Sequence, residues 1–347
     1  MIQSPLIEEV RNGACAVPRL SIAPMMERTD RHYRYFARQL TRRALLYTEM
    51  ITANAIIHGD RDRLLRFHPD EHPISLQLGG DNAAELAQSV RIGEQYNYDE
   101  YNLNVGCPSD RVQHGAFGAC LMARPKQVAG IVQAMQAETD RPVTVKHRIG
   151  IDGRESYGEM AEFVQAVSEA GCTRFTVHAR IAVLGGLSPK ENRLIPPLRY
   201  EDVYRLKQDF PHLFIEINGH IDSVAAARTH LARLDSAMIG RAAYEDPYLL
   251  ASVDRDLFGE AELGPTRREV VAAMADYMET MAEEGTHPRL VTRHMLGLFA
   301  GKHGARHWKR SLSGKIPDGI TGRELLSRAI SEIPPYVLDE VPHACAA

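Results

Sequence analysis

A chain of 347 residues, 44% hydrophobic and 25% charged with a net charge of −4, has the composition of a globular protein with room for one large domain and a small one. No apolar run reaches transmembrane length, and residues 1–18, with Glu8, Glu9 and Arg11, have no secretory core, so no membrane association is expected. The five cysteines (Cys15, Cys107, Cys120, Cys172 and Cys345) are odd in number and form no Cys-x-x-Cys pair, so no metal site is expected and a reducing cytoplasmic setting suits them.

Short apolar runs alternate with segments of helical periodicity. Strands are predicted at Leu20–Ala23, Leu45–Thr48, Ile74–Leu78, Glu100–Leu103, Pro142–Lys146, Arg174–Val177, Leu213–Ile217 and Ser236–Ile239. Between them, Ala83–Tyr96, Pro125–Thr139, Tyr157–Ala170 and Tyr200–Phe210 carry apolar residues at helical spacing. This order predicts an α/β fold, a (β/α)8 TIM barrel over residues 1–260. A doubly wound sheet is the alternative, but such sheets usually carry a Gly-x-Gly-x-x-Gly turn and none occurs. After Gly264-Pro265 the alternation stops. Residues 264–335 predict a small all-α helical domain with helices at Thr266–Glu284, Pro288–Ala300, Gly304–Ser311 and Gly322–Ile333. The tail, 336–347, is expected to be disordered.

A barrel carries its chemistry at the C-terminal ends of its strands. Those ends are Pro24-Met25-Met26, Glu49, Gln77, Asn104 with Cys107, Lys146, His178, Asn218-Gly219 and Gly240-Arg241. Cys107 stands in a tight Val-Gly-Cys-Pro loop after the fourth strand, where a lone thiol is either a small filler or an acid or nucleophile. Asn218-Gly219-His220 and Gly240-Arg241 follow strands seven and eight, where barrels commonly hold a phosphate. Lys146, placed inside a barrel, is costly to bury without an anionic partner. A reduced flavin would be one such partner, with Gln77 on the ring's amide edge; a Schiff base is the competing role for the lysine.

The stretches Ala23-Pro24-Met25, Leu76-Gln77-Leu78-Gly79, Asn102-Leu103-Asn104-Val105-Gly106-Cys107-Pro108, Val145-Lys146-His147-Arg148-Ile149-Gly150, Val177-His178-Ala179-Arg180, Asn218-Gly219 and Gly240-Arg241 closely resemble the tRNA-dihydrouridine synthases, from about residue 19 to about residue 312. Leu187-Ser188-Pro189-Lys190-Glu191-Asn192-Arg193 and Ile195-Pro196-Pro197-Leu198 look like the A subfamily, which modifies positions 20 and 20a. The resemblance implies an FMN-binding barrel with a helical tRNA-binding domain, reducing uridine in the tRNA D-loop with NADPH or NADH as reductant. Hydride would pass from flavin N5 to C6, and a proton from Cys107 to C5. Pro24, Met25 and Met26 would back the flavin ring; Gln77, Lys146 and His178 would meet its polar edge and ribityl chain; Asn218, Gly219, His220, Gly240 and Arg241 would hold its phosphate. Asn104, with His178 or Arg180, would orient the base. Two positions depart from the family pattern: His220 stands where a glycine-type residue is usual, and Ile181 where a basic residue is expected.

Between Thr286 and Pro317 the chain has Arg289, Arg293, Lys302, Arg306, Lys309, Arg310 and Lys315 and no acid. A solvated helix face is one reading. A polyanion site is the other, with Arg306, Lys309 and Arg310 facing a phosphate together and Lys190 and Arg193 adding a contact near the barrel mouth. Two other functions fit parts of this pattern: a free-pyrimidine reductase resembling dihydroorotate dehydrogenases, and a non-catalytic RNA-binding flavin protein.

Overall fold

The computed structural model describes residues 18–109, 115–317 and 319–342. Eight parallel strands run in register around a barrel: β1 Leu20–Ile22, β2 Leu46–Tyr47, β3 Ile74–Gly79, β4 Glu100–Val105, β5 Val143–Arg148, β6 Arg174–His178, β7 Phe214–Asn218 and β8 Ser236–Ile239. β1 pairs with β8, and a parallel bridge between Ser21 and Leu45 closes the circle. Ile51–Thr52 adds a short second pairing to the end of β3. The barrel helices are α1 Arg31–Arg38, α2 Ala53–His58, α3 Ala83–Gly93, α4 Pro125–Gln136, α5 Tyr157–Glu169, α6 Tyr200–Asp209, α7 Val224–Leu231 and α8 Val253–Phe258. The predicted TIM barrel is therefore present, with strand ends within two residues of their predicted positions. No helix among the described residues is long and apolar enough to cross a membrane.

Alternation along each strand sorts the residues. In β4, Tyr101, Leu103 and Val105 are buried in the apolar core under the helices, while Glu100, Asn102 and Asn104 share the opposite face and bond across the barrel interior. The same split puts Phe175 and Val177 outward and Thr176 inward in β6, where Thr176 donates to Glu216. The barrel thus packs its helices with aliphatic residues and fills its centre with polar ones.

The C-terminal helices are α9 Arg267–Glu283, α10 Pro288–Thr292, α11 Ala305–Ser313, α12 Gly322–Ile330 and α13 Pro335–Leu338. A capping box from Thr266 and Glu269 starts α9. The helix expected over Pro288–Ala300 stops at Thr292. Turns follow, in which Trp308 Nε1 donates to Met295 O at 2.9 Å and Arg267 Nε to Leu298 O at 2.9 Å. The tail also differs from expectation: Val337 and Leu338 are buried, and Glu340 pairs with Arg267 and Lys302, so residues 336–342 are tied down by packing and charge. Residues 343–347 and 1–17 lie outside the described residues.

The helical segment is joined to the barrel by polar contacts. Asp30 caps α1 and also meets Arg293 and His294. Burial opposes its ionisation, yet the His294 hydrogen bond and charge, with the Tyr33 N–H, hold its carboxyl well below the usual range. Tyr277 stacks on Tyr35, with centroids 4.0 Å apart, and its hydroxyl lies 2.8 Å from His32 Nδ1.

His147, on the outer face of β5, packs against Phe163 and Phe175 and donates through Nδ1 to Arg148 O. Burial lowers its pKa from 6.5 to about 4. The unfolded chain takes up a proton as pH falls through 6.5 while the native state stays neutral to about 4, so stability falls with pH across that window. The His147→Leu variant should therefore lose about one proton from the slope of unfolding free energy against pH in this window. Denaturant melts at several pH values measure it, and an unchanged slope would contradict the assignment.

Candidate active site

The Cys107 loop is fixed before any ligand arrives. Asn104 Oδ1 accepts the Gly106 N–H at 3.1 Å and the Cys107 N–H at 3.0 Å, Ala119 N–H donates to Cys107 O, and Arg148 Nε donates to Gly106 O at 2.9 Å. The Cys107 thiol is partly exposed and lies 3.4 Å from Ser109 Oγ. Asn104 in turn donates to Gln77 Oε1, and Gln77 donates to Asn102 Oδ1. Gln77 is 1% exposed, so each end of its amide already has one partner inside the chain, with one N–H and one lone pair left over.

Beside this loop stand cations without acids. Lys146 Nζ has one partner, Asn218 Oδ1 at 3.2 Å, while Asn218 Nδ2 is spent on Met238 O. Burial, then the Arg148 charge, lowers the lysine to about 8 against weaker support from Glu216 and Cys107. Burial also lowers Arg148 to about 10. Its other hydrogen bonds go to the carbonyls of Ile181 and Asn192. Arg180 bonds the carbonyls of Leu194 and Pro196 and leaves Nε without a partner. Arg193 feels the charges of Arg241 and Arg28. His178, at the end of β6, is pushed well below its ordinary range by burial and then by Arg148, Lys146 and Arg180, and its Nδ1 has no partner among the described residues. Among the described residues, only Arg28 in this group approaches a carboxylate, Glu245 at 3.9 Å. Cations that raise one another's energy in this way would be stabilised by an anion among them.

The loop geometry suits a closely approaching ligand. Gly219 has φ +126°, and a Cβ there would meet Leu198 at 3.2 Å. His220 follows at φ +53°, in the left-handed region that favours glycine; its side chain is exposed. Gly240-Arg241 ends β8, and Arg241 has no acid partner among the described residues. On the neighbouring strand end, after β1, Pro24 and Met25 are half-buried and Met26 is 56% exposed. The turn that carries them is held by Met25 N–H on Thr29 Oγ1 and by Glu27 N–H on Glu49. Leu194 and Ile195 are also exposed, next to Arg193. Ile181 packs against the core and gives only its carbonyl, to Arg148.

The barrel-end residues singled out from the sequence thus converge on one mouth. Arg306, Lys309 and Arg310 do not belong to it. They lie exposed on α11, whose Trp308 and Leu312 face the core. The acid-free segment divides: Arg293 is neutralised by Asp30 and Lys302 by Glu340, while Arg306, Lys309, Arg310 and Lys315 have no acid partner among the described residues. Lys190 is exposed at the head of the short turn Glu191–Arg193. The inward roles of Arg148 and Glu100 were missed, although the polar residues at i, i+2 and i+4 from Glu100 and the Lys146/Arg148 pair carried the signal.

A model of the dihydrouridine synthases matches residues 21–328. The chain belongs to the dihydrouridine synthase family. Its relatives include a tRNA-dihydrouridine(20/20a) synthase of Synechocystis, 59% identical over 90% of this chain and 93% of that protein. Others of the same name are in Pseudomonas aeruginosa, at 56% over 88% of this chain and 92% of that one, and Vibrio parahaemolyticus, at 54% over 91% and 97%. A solved 2-naphthoyl-CoA reductase complex superposes with a TM-score of 0.51 at 11% identity, covering 68% of this chain and 49% of that one, a likeness of fold alone. As a dihydrouridine synthase the chain is a flavin-dependent oxidoreductase, and the mouth fits such a cofactor: its unpaired cations and the unpartnered His178 Nδ1 are what an anionic ring and phosphate require.

Replacing Asn104 by Ala strands the Gly106 and Cys107 N–H groups and one end of Gln77. It should cost about 1–3 kcal/mol in a denaturant melt. A parental midpoint would mean that Asn104 does not hold the loop.

Proposed function

We propose that this chain reduces uridine to dihydrouridine at positions 20 and 20a of the tRNA D-loop, with FMN as cofactor and NADPH as reductant, in the cytoplasm. The observation that carries this reading is the thiol of Cys107, held rigidly at the end of β4 beside buried cations that have no acid partner. Pro24, Met25 and Met26 would line the flavin ring, and Gln77, Lys146 and His178 would meet its polar edge. Asn218, Gly219, His220, Gly240 and Arg241 would hold its phosphate. FMN, when held there, would supply the hydride that reduces the C5=C6 bond of the uracil.

The chain supplies the proton. As charge builds on C5 and O4, the Sγ–H bond of Cys107 breaks and a C5–H bond forms. Asn104 orients the base from the same strand end. The target base must leave its stack to reach the barrel mouth, which costs a few kcal/mol. Phosphate contacts from Lys190 and Arg193 at the rim and from Arg306, Lys309 and Arg310 on α11 offset that cost. The names of the relatives and the open acid-free face of α11 favour tRNA over a free pyrimidine.

The Cys107→Ala holoenzyme should be reduced by NADPH at the parental rate and bind tRNA normally. Reoxidation by unmodified tRNA should slow by about 10²–10⁴-fold. Stopped-flow flavin absorbance separates the two half-reactions, and a parental reoxidation rate removes Cys107 from the mechanism.

Neutralising Arg306, Lys309 and Arg310 together should weaken tRNA binding and leave the flavin spectrum intact. Each lost phosphate contact flattens log K against log salt by about 0.7–0.9, so the slope should fall by roughly two units. If affinity and slope both match the parent, α11 has no part in binding.

A further inference from the structure

Below Cys107 the hydrogen bonds form a ladder with one polarity. The Gly106 and Cys107 N–H groups donate to Asn104 Oδ1, Asn104 Nδ2 to Gln77 Oε1 at 2.9 Å, Gln77 Nε2 to Asn102 Oδ1 at 2.8 Å, Asn102 Nδ2 to Thr144 Oγ1 at 2.8 Å, and Thr144 Oγ1 to Glu100 Oε1 at 2.9 Å. Glu100 cannot turn. Its Oε1 also accepts the hydroxyls of Tyr47 and Ser75, and Oε2 lies 2.7 Å from Arg174 Nη1. All five side chains of the ladder are buried, none more than 9% exposed.

The chemistry at the lower end dictates the upper one. A carboxylate oxygen paired with an arginine only accepts, so Thr144 gives it its proton and meets Asn102 with a lone pair. That turns the Asn102 oxygen to Gln77 and the Gln77 oxygen to Asn104. A carboxamide has two N–H bonds and two lone pairs. Asn104 spends both lone pairs on the Cys107 loop and one N–H on Gln77, which leaves one N–H and nothing else.

We propose that Glu100 is a positioning residue that, through Thr144, Asn102 and Gln77, presents Asn104 to the substrate as a donor only, aimed at O4 of the uracil. This rests on the proposed reduction of uridine. C5 takes its proton from Cys107, O4 is borne by the carbon next to C5, and the proposal seats that edge of the ring against the amide that also bonds the Cys107 N–H. O4 gains negative charge as C6 takes the hydride, and a fixed N–H there strengthens in the transition state. Cytosine offers an amino group at that position, donor against donor, so the same polarity rejects it.

The test uses three variants of the holoenzyme. Thr144→Val removes the hydroxyl that links the ladder to Glu100, Thr144→Ser keeps it, and Ser75→Ala removes an off-ladder hydroxyl from the same Glu100 oxygen. Reduced enzyme is mixed with unmodified tRNA in single turnover. Thr144→Val should slow the rate at saturating tRNA by roughly 10- to 100-fold. The tRNA concentration at half-saturation and the reduction by NADPH should not move, and Thr144→Ser and Ser75→Ala should stay near the parent. A parental rate in Thr144→Val, or equal slowing in all three variants, overturns the proposal. Should Thr144→Val fail to retain flavin, Asn102→Ala breaks the ladder one rung higher and is read by the same split between rate and affinity. A parent enzyme that leaves tRNA unreduced overturns the functional reading itself, and the ladder proposal with it.

Discussion

Two buried carboxylates set the terms for the interior of this barrel. Glu100 accepts three hydroxyls, from Tyr47, Ser75 and Thr144, on one oxygen, and Glu216 accepts those of Ser21, Ser236 and Thr176. Barrel cores are usually filled by branched aliphatic side chains. A carboxylate in that place is tolerable only when its lone pairs are satisfied, so the small hydroxyl residues around it follow from its presence. Those residues leave no room for an apolar plug, and the polar amides above them bond to one another.

The result is a barrel graded in charge along its axis. Acids and hydroxyls lie toward the N-terminal ends of the strands, amides in the middle, and Lys146, Arg148, Arg180, Arg193 and Arg241 at the mouth. The grading separates two tasks. The lower half is closed and fully bonded, so it holds Asn104 and the Cys107 loop rigid. The upper half is under-bonded among the described residues, with cations that depress one another's charge and a histidine nitrogen that has no partner among them. That is the expected state of a site built around an anionic cofactor and a polyanionic substrate. The helical segment extends the same logic: the cations near the barrel, Arg293 and Lys302, are neutralised by Asp30 and Glu340 and serve docking, while those on α11 stay open.

The barrel was legible because each strand is a short apolar run that ends in a chemically distinctive residue. Less was legible where the decisive partner is distant in sequence. Nothing local to Met295 or Leu298 says that Trp308 and Arg267 bond their carbonyls, in the stretch where the predicted helix gives way to turns in the structure. The tail was misjudged for the same reason, since Glu340 is ordered by Arg267 and Lys302 across the helical segment. Arg148 was given no role from the sequence, because its partners are distant in the chain: it is 4% exposed and bonded to three backbone carbonyls.

The proposed reaction is reduction of a D-loop uridine by a thiol-bearing flavin barrel. Its most direct test is to reduce the holoenzyme anaerobically, add tRNA lacking dihydrouridine, and map the product by mass spectrometry of nuclease fragments. The account predicts one added pair of hydrogens per flavin reoxidised, confined to uridines 20 and 20a. Flavin that stays reduced in the presence of tRNA, or hydrogens added outside the D-loop, would contradict it.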